Sequence, residues 1–105
     1  MSYVRALISA TSDKEAKKLV RFLVKLKLIA GALITAGEAL YWWENHLIRK
    51  TYWNISAFSK KTLTKKIISE VKKIHSDAVP IVSFYSIVDA NKDFLVWIHE
   101  NTIRK

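Results

Sequence analysis

Residues 31–58 read GALITAGEALYWWENHLIRKTYWNISAF. Two apolar, aromatic-rich runs, 32–43 and 47–58, flank the polar triplet Glu44-Asn45-His46. Aromatic and β-branched residues without a helical period favour extended chain. Asn tolerates positive φ, so the triplet predicts a hairpin tip. A long β-hairpin is therefore expected at the centre of the chain.

Upstream, residues 4–10 are rich in Val, Leu and Ile and predict a buried strand. Thr11, Ser12 and Asp13 follow as helix N-cap residues. Ala16, Leu19, Val20, Leu23 and Val24 then recur at helical spacing, with lysines on the other side, and predict a helix over 13–27. Downstream, Ser59 is expected to cap a second helix with Leu63, Ile67, Ile68, Val71 and Ile74 inward. Its exposed face is expected to carry Lys60, Lys61, Lys65, Lys66, Lys72 and Lys73. Pro80 blocks further helix, and residues 81–88 predict a fourth strand. Asp89-Ala90-Asn91 caps a last short helix with Phe94, Leu95, Trp97 and Ile98 on its apolar side.

The order is β-α-β-β-α-β plus a C-terminal helix. It predicts an α+β, ferredoxin-like fold: a four-stranded antiparallel sheet with a long β-hairpin and helices on one face. The other face would be open yet apolar, and a partner subunit is the simplest cover.

At 105 residues the chain fits one domain, 1–105. Half its residues are hydrophobic, so a disordered chain is excluded. It has no cysteine, which removes disulfides, thiolate metal sites and cysteine nucleophiles. The first residues form too short an apolar run for a signal peptide, and the uncharged run 28–37 is about half of a membrane span. A cytoplasmic protein with no membrane partner is expected.

The net charge of +9 attracts polyanions, although solvated helix faces also explain it. The six lysines of the second helix are the candidate polyanion surface. The central strand 51–58 lacks the glycine and the pattern of RNA-recognition domains, and Tyr52 and Trp53 point to opposite faces. Nucleic acid is thus the less favoured partner. The chain has no H-E-x-x-H motif, nucleophile elbow, glycine-rich phosphate loop or acid–base pair, so a non-enzymatic protein is expected. His75 falls at a helix end, where the dipole favours a cation; His46 falls at the hairpin tip and His99 at the periphery. Tyr41, Trp42, Trp43 and Trp53 suit a ligand platform or, with more weight, a subunit interface.

The motifs, taken in order, resemble the CutA family of divalent-cation tolerance proteins. Leu40-Tyr41-Trp42-Trp43-Glu44 resembles the family's S-x-Y-x-W-E hairpin motif. His75-Ser76-Asp77-Ala78-Val79-Pro80 resembles its H-P-Y-E-V-P segment, and Phe94-Leu95-Val96-Trp97-Ile98 its Y-L-x-W-I. The resemblance implies a compact homotrimer joined through sheets and hairpins, with Tyr41, Trp43, Trp53 and Trp97 at the trimer interface or its cleft. It also implies a link to a divalent metal such as copper, for which His75 and Asp77 are the candidate ligands. The departures point to a degenerate metal site. Gly31 stands where members commonly have a cysteine, and Ser76, Asp77 and Ala78 replace Pro, Tyr and Glu. A small-molecule sensor with an inter-subunit site is a further alternative.

Overall fold

A computed structural model describes residues 2–104; Met1 and Lys105, the two ends of the expected 1–105 domain, lie outside the described residues. The elements are β1 (Tyr3–Ala10), α1 (Asp13–Lys25), β2 (Gly31–Trp43), β3 (His46–Lys60), a 3-10 turn (Lys61–Leu63), α2 (Thr64–Ile74), β4 (Val82–Ser86) and α3 (Lys92–Glu100). The sheet runs β2-β3-β1-β4, with every neighbouring pair antiparallel. This is the ferredoxin-like α+β architecture.

Local chemistry sets most boundaries. The Ser12 side chain accepts the Glu15 amide at 3.0 Å, which starts α1. The helix stops at Lys25, two residues short of expectation, because Lys27 adopts φ 57°. That turn drops Leu28 and Ile29 into the core, where both are buried. The hairpin turns on Glu44 and Asn45 alone, at φ 49° and 66°, as two-residue hairpin loops require. His46 pairs with Trp43 and so belongs to β3 rather than to the tip.

The register separates two sheet faces. Ala6, Ile8, Ile55 and Ala57 point to one, where they are completely buried with Ala16, Leu19, Leu23, Ile67 and Val71 of the helices. This core extends to Leu63, which ends the 3-10 turn.

Three further expectations are corrected. Ser59 does not cap α2: it lies in β3, buried, and its hydroxyl donates to the Leu28 carbonyl at 2.5 Å. The residue before α2 is Leu63, with no side-chain cap. Lys60 is not on the exposed face of α2, because β3 runs through it; it is 1% exposed. Its ammonium donates to the Ile103 carbonyl at 2.6 Å. Finally, the helices do not share one face. Phe94 of α3 meets the Phe58 ring edge-on at 5.1 Å, and Trp97 lies over Gly31. Phe58 and Gly31 point away from the α1–α2 core, so α3 closes one end of the opposite face. A Cβ on Gly31 would come within 2.9 Å of the Trp97 ring, so only glycine lets the indole lie this close.

The rest of that face is mixed rather than apolar. Leu33 and Tyr85 are exposed there, beside Arg5, whose guanidinium bonds Ser56 at 3.0 Å and sits 5.1 Å over the Tyr85 ring. The large uncovered apolar surface lies elsewhere, at the outer hairpin. Leu40, Trp42 and Leu47 are 65%, 72% and 58% exposed, on the core side of the sheet but beyond the helices.

Candidate functional site

The hairpin and the segment following α2 enclose a cavity of about 300 Å³. Tyr41, Trp43, Ile48, Lys50 and Tyr52 form its hairpin wall, and residues 76–79 form the other. The hairpin residues share a wall because the two-residue turn pairs Tyr41 with Ile48 and Gly37 with Tyr52, putting these side chains on one face.

A dense polar network holds the second wall. The His75 side chain is fully buried. Its Nδ1 accepts the Asp77 amide at 3.0 Å, which places the ring proton on Nε2, and Nε2–H donates to the Ser9 carbonyl at 2.6 Å. Ser9 also receives the Ile81 amide on its hydroxyl at 3.0 Å and donates its own amide to the Ile81 carbonyl at 3.1 Å. Glu15 ties in the N-terminus of α1. One carboxylate oxygen accepts the Thr11 amide and hydroxyl, at 2.9 and 3.0 Å, and the other the Ser76 amide at 2.9 Å. Burial alone would push this carboxyl up, but the hydrogen bonds from Thr11 and Ser76 outweigh it and hold it at about 2, against an ordinary 4.5. Residues 75–81 are thus fixed to the ends of β1 and α1.

Inside the cavity the Tyr52 hydroxyl donates to Asp77 Oδ2 at 2.8 Å, and the Tyr41 hydroxyl lies 3.3 Å from that of Tyr52, with the rings edge to face. Burial, followed by these hydrogen bonds, raises the Tyr52 phenol above its ordinary range, so it stays a donor at neutral pH. Lys50 is the one cation among the lining residues. An aromatic wall, a carboxylate and an ammonium can orient a small polar molecule. A second groove of about 610 Å³ continues past Ser9, Asn54 and Ile81.

The residues singled out from the sequence separate in space. Tyr41, Trp43 and Asp77 meet in this cavity. Trp53 points to the other face, opposite Ala10 and Ala36, and packs half-buried on the core. Trp97 lies at the far end over Gly31. His75 stands behind the cavity wall with both ring nitrogens engaged. Lys61, Lys65, Lys66, Lys72 and Lys73 are exposed at α2, whereas Lys60 is buried. Tyr52, Ile48 and Lys50 join the site without having been singled out by any motif. A signal for them exists: once the turn is put at residues 44–45, strand alternation brings them beside Tyr41.

A divalent cation does not fit this site within one chain. His75 has no nitrogen to offer, and Asp77 already accepts from Tyr52. Among the described residues no three His, Cys, Asp or Glu side chains are grouped to hold a metal ion.

The profile of the family described as CutA1 divalent ion tolerance protein matches residues 4–101. A divalent-cation tolerance protein CutA of Pyrococcus horikoshii is 29% identical over 89 residues, 85% of this chain and 87% of that one. A crystal structure of a point mutant of P. horikoshii CutA1 superposes with a TM-score of 0.93 at 26% identity, covering 96% of this chain and 99% of that chain. The Archaeoglobus fulgidus CutA structure, described as periplasmic, gives 0.92 at 27% identity and covers 94% and 97%.

Proposed function

This chain belongs to the CutA1 divalent ion tolerance family, and from that premise we propose that it works as a homotrimer in the response to divalent cations such as copper, with a degenerate metal site. The observation that carries the assembly is the bare outer hairpin. Leu40, Trp42 and Leu47 present their side chains on the core side of the sheet with no helix over them. A closed ring of copies supplies a cover to every hairpin at once and leaves no copy unsatisfied. The observation that supports the degenerate site is the engagement of His75 inside the protein. Metal retained by the assembly must then be met by ligands from more than one copy. In this reading the protein acts by assembly and binding, without a chemical step, and in the cytoplasm.

Light scattering after size exclusion, with and without copper, tests both halves. The expected mass is three times the chain mass, unchanged by sub-millimolar copper. Calorimetric titration of the same sample is expected to show weak copper binding that His75→Ala leaves unaltered. A monomeric mass refutes the assembly; tight, stoichiometric copper binding lost in His75→Ala refutes the degenerate site.

The cavity favours one second reading, a sensor for a small polar molecule held between Lys50, Asp77 and the aromatic wall. Ligand-dependent quenching of tryptophan fluorescence that Trp43→Phe abolishes supports it; a library without any such ligand refutes it.

A further inference from the structure

The basic charge of the chain is concentrated in one layer. More than half of its 18 Lys and Arg lie in α1, the 3-10 turn and α2, against three of its nine acids. Those acids are already satisfied. Asp13 pairs with Lys17 at 2.8 Å, Glu70 lies between Lys66 and Lys73 at 3.5 and 3.1 Å, and Glu15 is turned into the network with Thr11 and Ser76. Seven cations of the layer remain exposed with no ion-pair partner among the described residues: Lys14, Lys18, Arg21 and Lys25 on α1, then Lys61, Lys65 and Lys72.

Their spacing is regular. Lys14, Lys18, Arg21 and Lys25 step by four, three and four residues, which puts them in one row along α1. That row is about 16 Å long at the helical rise, or about five base-pair steps at 3.4 Å each. Lys65 and Lys72 fall seven residues apart on α2, which packs beside α1. Two rows of ammonium and guanidinium groups thus stand side by side, outward from the sheet.

We infer that the α1–α2 helix layer is a docking surface for duplex nucleic acid, bound through its phosphates without sequence preference. The duplex is favoured over the single strand because the layer has no exposed aromatic ring for base stacking; its one aromatic, Phe22, packs on the core. It is favoured over a membrane because the apolar sides of both helices are spent on the core. Val24, Leu26 and Ile68 alone emerge at the edges, at 38%, 42% and 36% exposure. Lysine dominates the rows and Arg21 is their one guanidinium, so the surface reads phosphate charge rather than base edges.

Fluorescence anisotropy with a labelled mixed-sequence DNA duplex of about 24 bp tests this on the full chain. With about five phosphates contacted, log affinity is expected to fall with log salt at a slope of about −4 to −5, a loss of roughly 10²–10³-fold between about 50 and 200 mM. Lys18→Gln with Arg21→Gln removes two charges from the layer and is expected to weaken binding roughly 30–100-fold at about 0.1 M salt and to flatten the slope by about 2. Lys92→Gln with Arg104→Gln removes the same charge outside the layer and should change affinity less than about threefold. Circular dichroism of both variants confirms folding. Equal losses in the two variants overturn the placement. Absence of duplex binding at low salt overturns the inference, as does binding confined to vesicles of equimolar phosphatidylglycerol and phosphatidylcholine.

Discussion

Glu15 shows how much of this fold rests on single polar contacts. Its carboxylate receives Thr11 and Ser76, so one side chain joins the start of α1 to the segment that closes the cavity. A carboxyl held at about 2 instead of 4.5 gives a stability contribution that is complete above about pH 4.5 and is lost as the pH falls toward 2. Glu15→Gln is expected to cost about 2 kcal/mol at neutral pH, measured by urea unfolding. The gap between variant and wild type should close as the pH approaches 2; a gap that stays constant to that pH would assign the loss to packing alone. The sequence places Glu15 in the first helical turn, where the helix dipole already explains an acid. Its bonds to Ser76 cross the fold, and no local pattern announces them. His75 is similar. Its position at the end of α2 is legible, whereas its carbonyl partner on β1 becomes visible only with the chain path complete.

At the scale of elements, alternation and helical period are enough to order the strands and the first two helices. They mislead where one residue has two plausible duties. Ser59 has the chemistry of a cap, but β3 continues two residues further, so its hydroxyl serves Leu28 and Lys60 turns inward. The period of α3 likewise reveals its apolar side but not which face of the sheet it covers. That choice follows from the contact between Trp97 and Gly31. The hairpin is the element with an unmet need. Trp42 faces Leu47 across the ladder with no second layer above the pair. Trp42→Glu should change the stability of the isolated fold by less than about 1 kcal/mol, since only a cross-strand pair is lost. It should nevertheless drive the light-scattering mass down to that of one chain. A variant that keeps the full assembly would show that the hairpin is not its seam.

The whole molecule measures 44 × 26 × 21 Å, and its long axis reflects a hairpin of 13- and 15-residue strands. The three features considered for function lie at different places on this shape: the cavity beside the hairpin, the bare apolar tip, and the cationic helix layer. Composition alone reveals the charge but not its concentration, because a count of lysines ignores which of them are paired or buried. The fold is legible because its signals are periodic and add along the chain. The cavity is half legible: the motifs point to Tyr41 and Asp77 but not to Tyr52, since their meeting depends on a turn type and on the path of residues 75–81.

Lys60 gives the protein a built-in chemical reporter. Sealed under the C-terminal segment, with its ammonium bonded to the Ile103 carbonyl, Lys60 is out of reach of amine-acylating reagents while the chain is closed. The surface lysines should acylate first, and mass spectrometry should find Lys60 modified only once the segment carrying Ile103 has lifted. The labelling rate at that one amine would time the opening of this end of the molecule, separately from global unfolding.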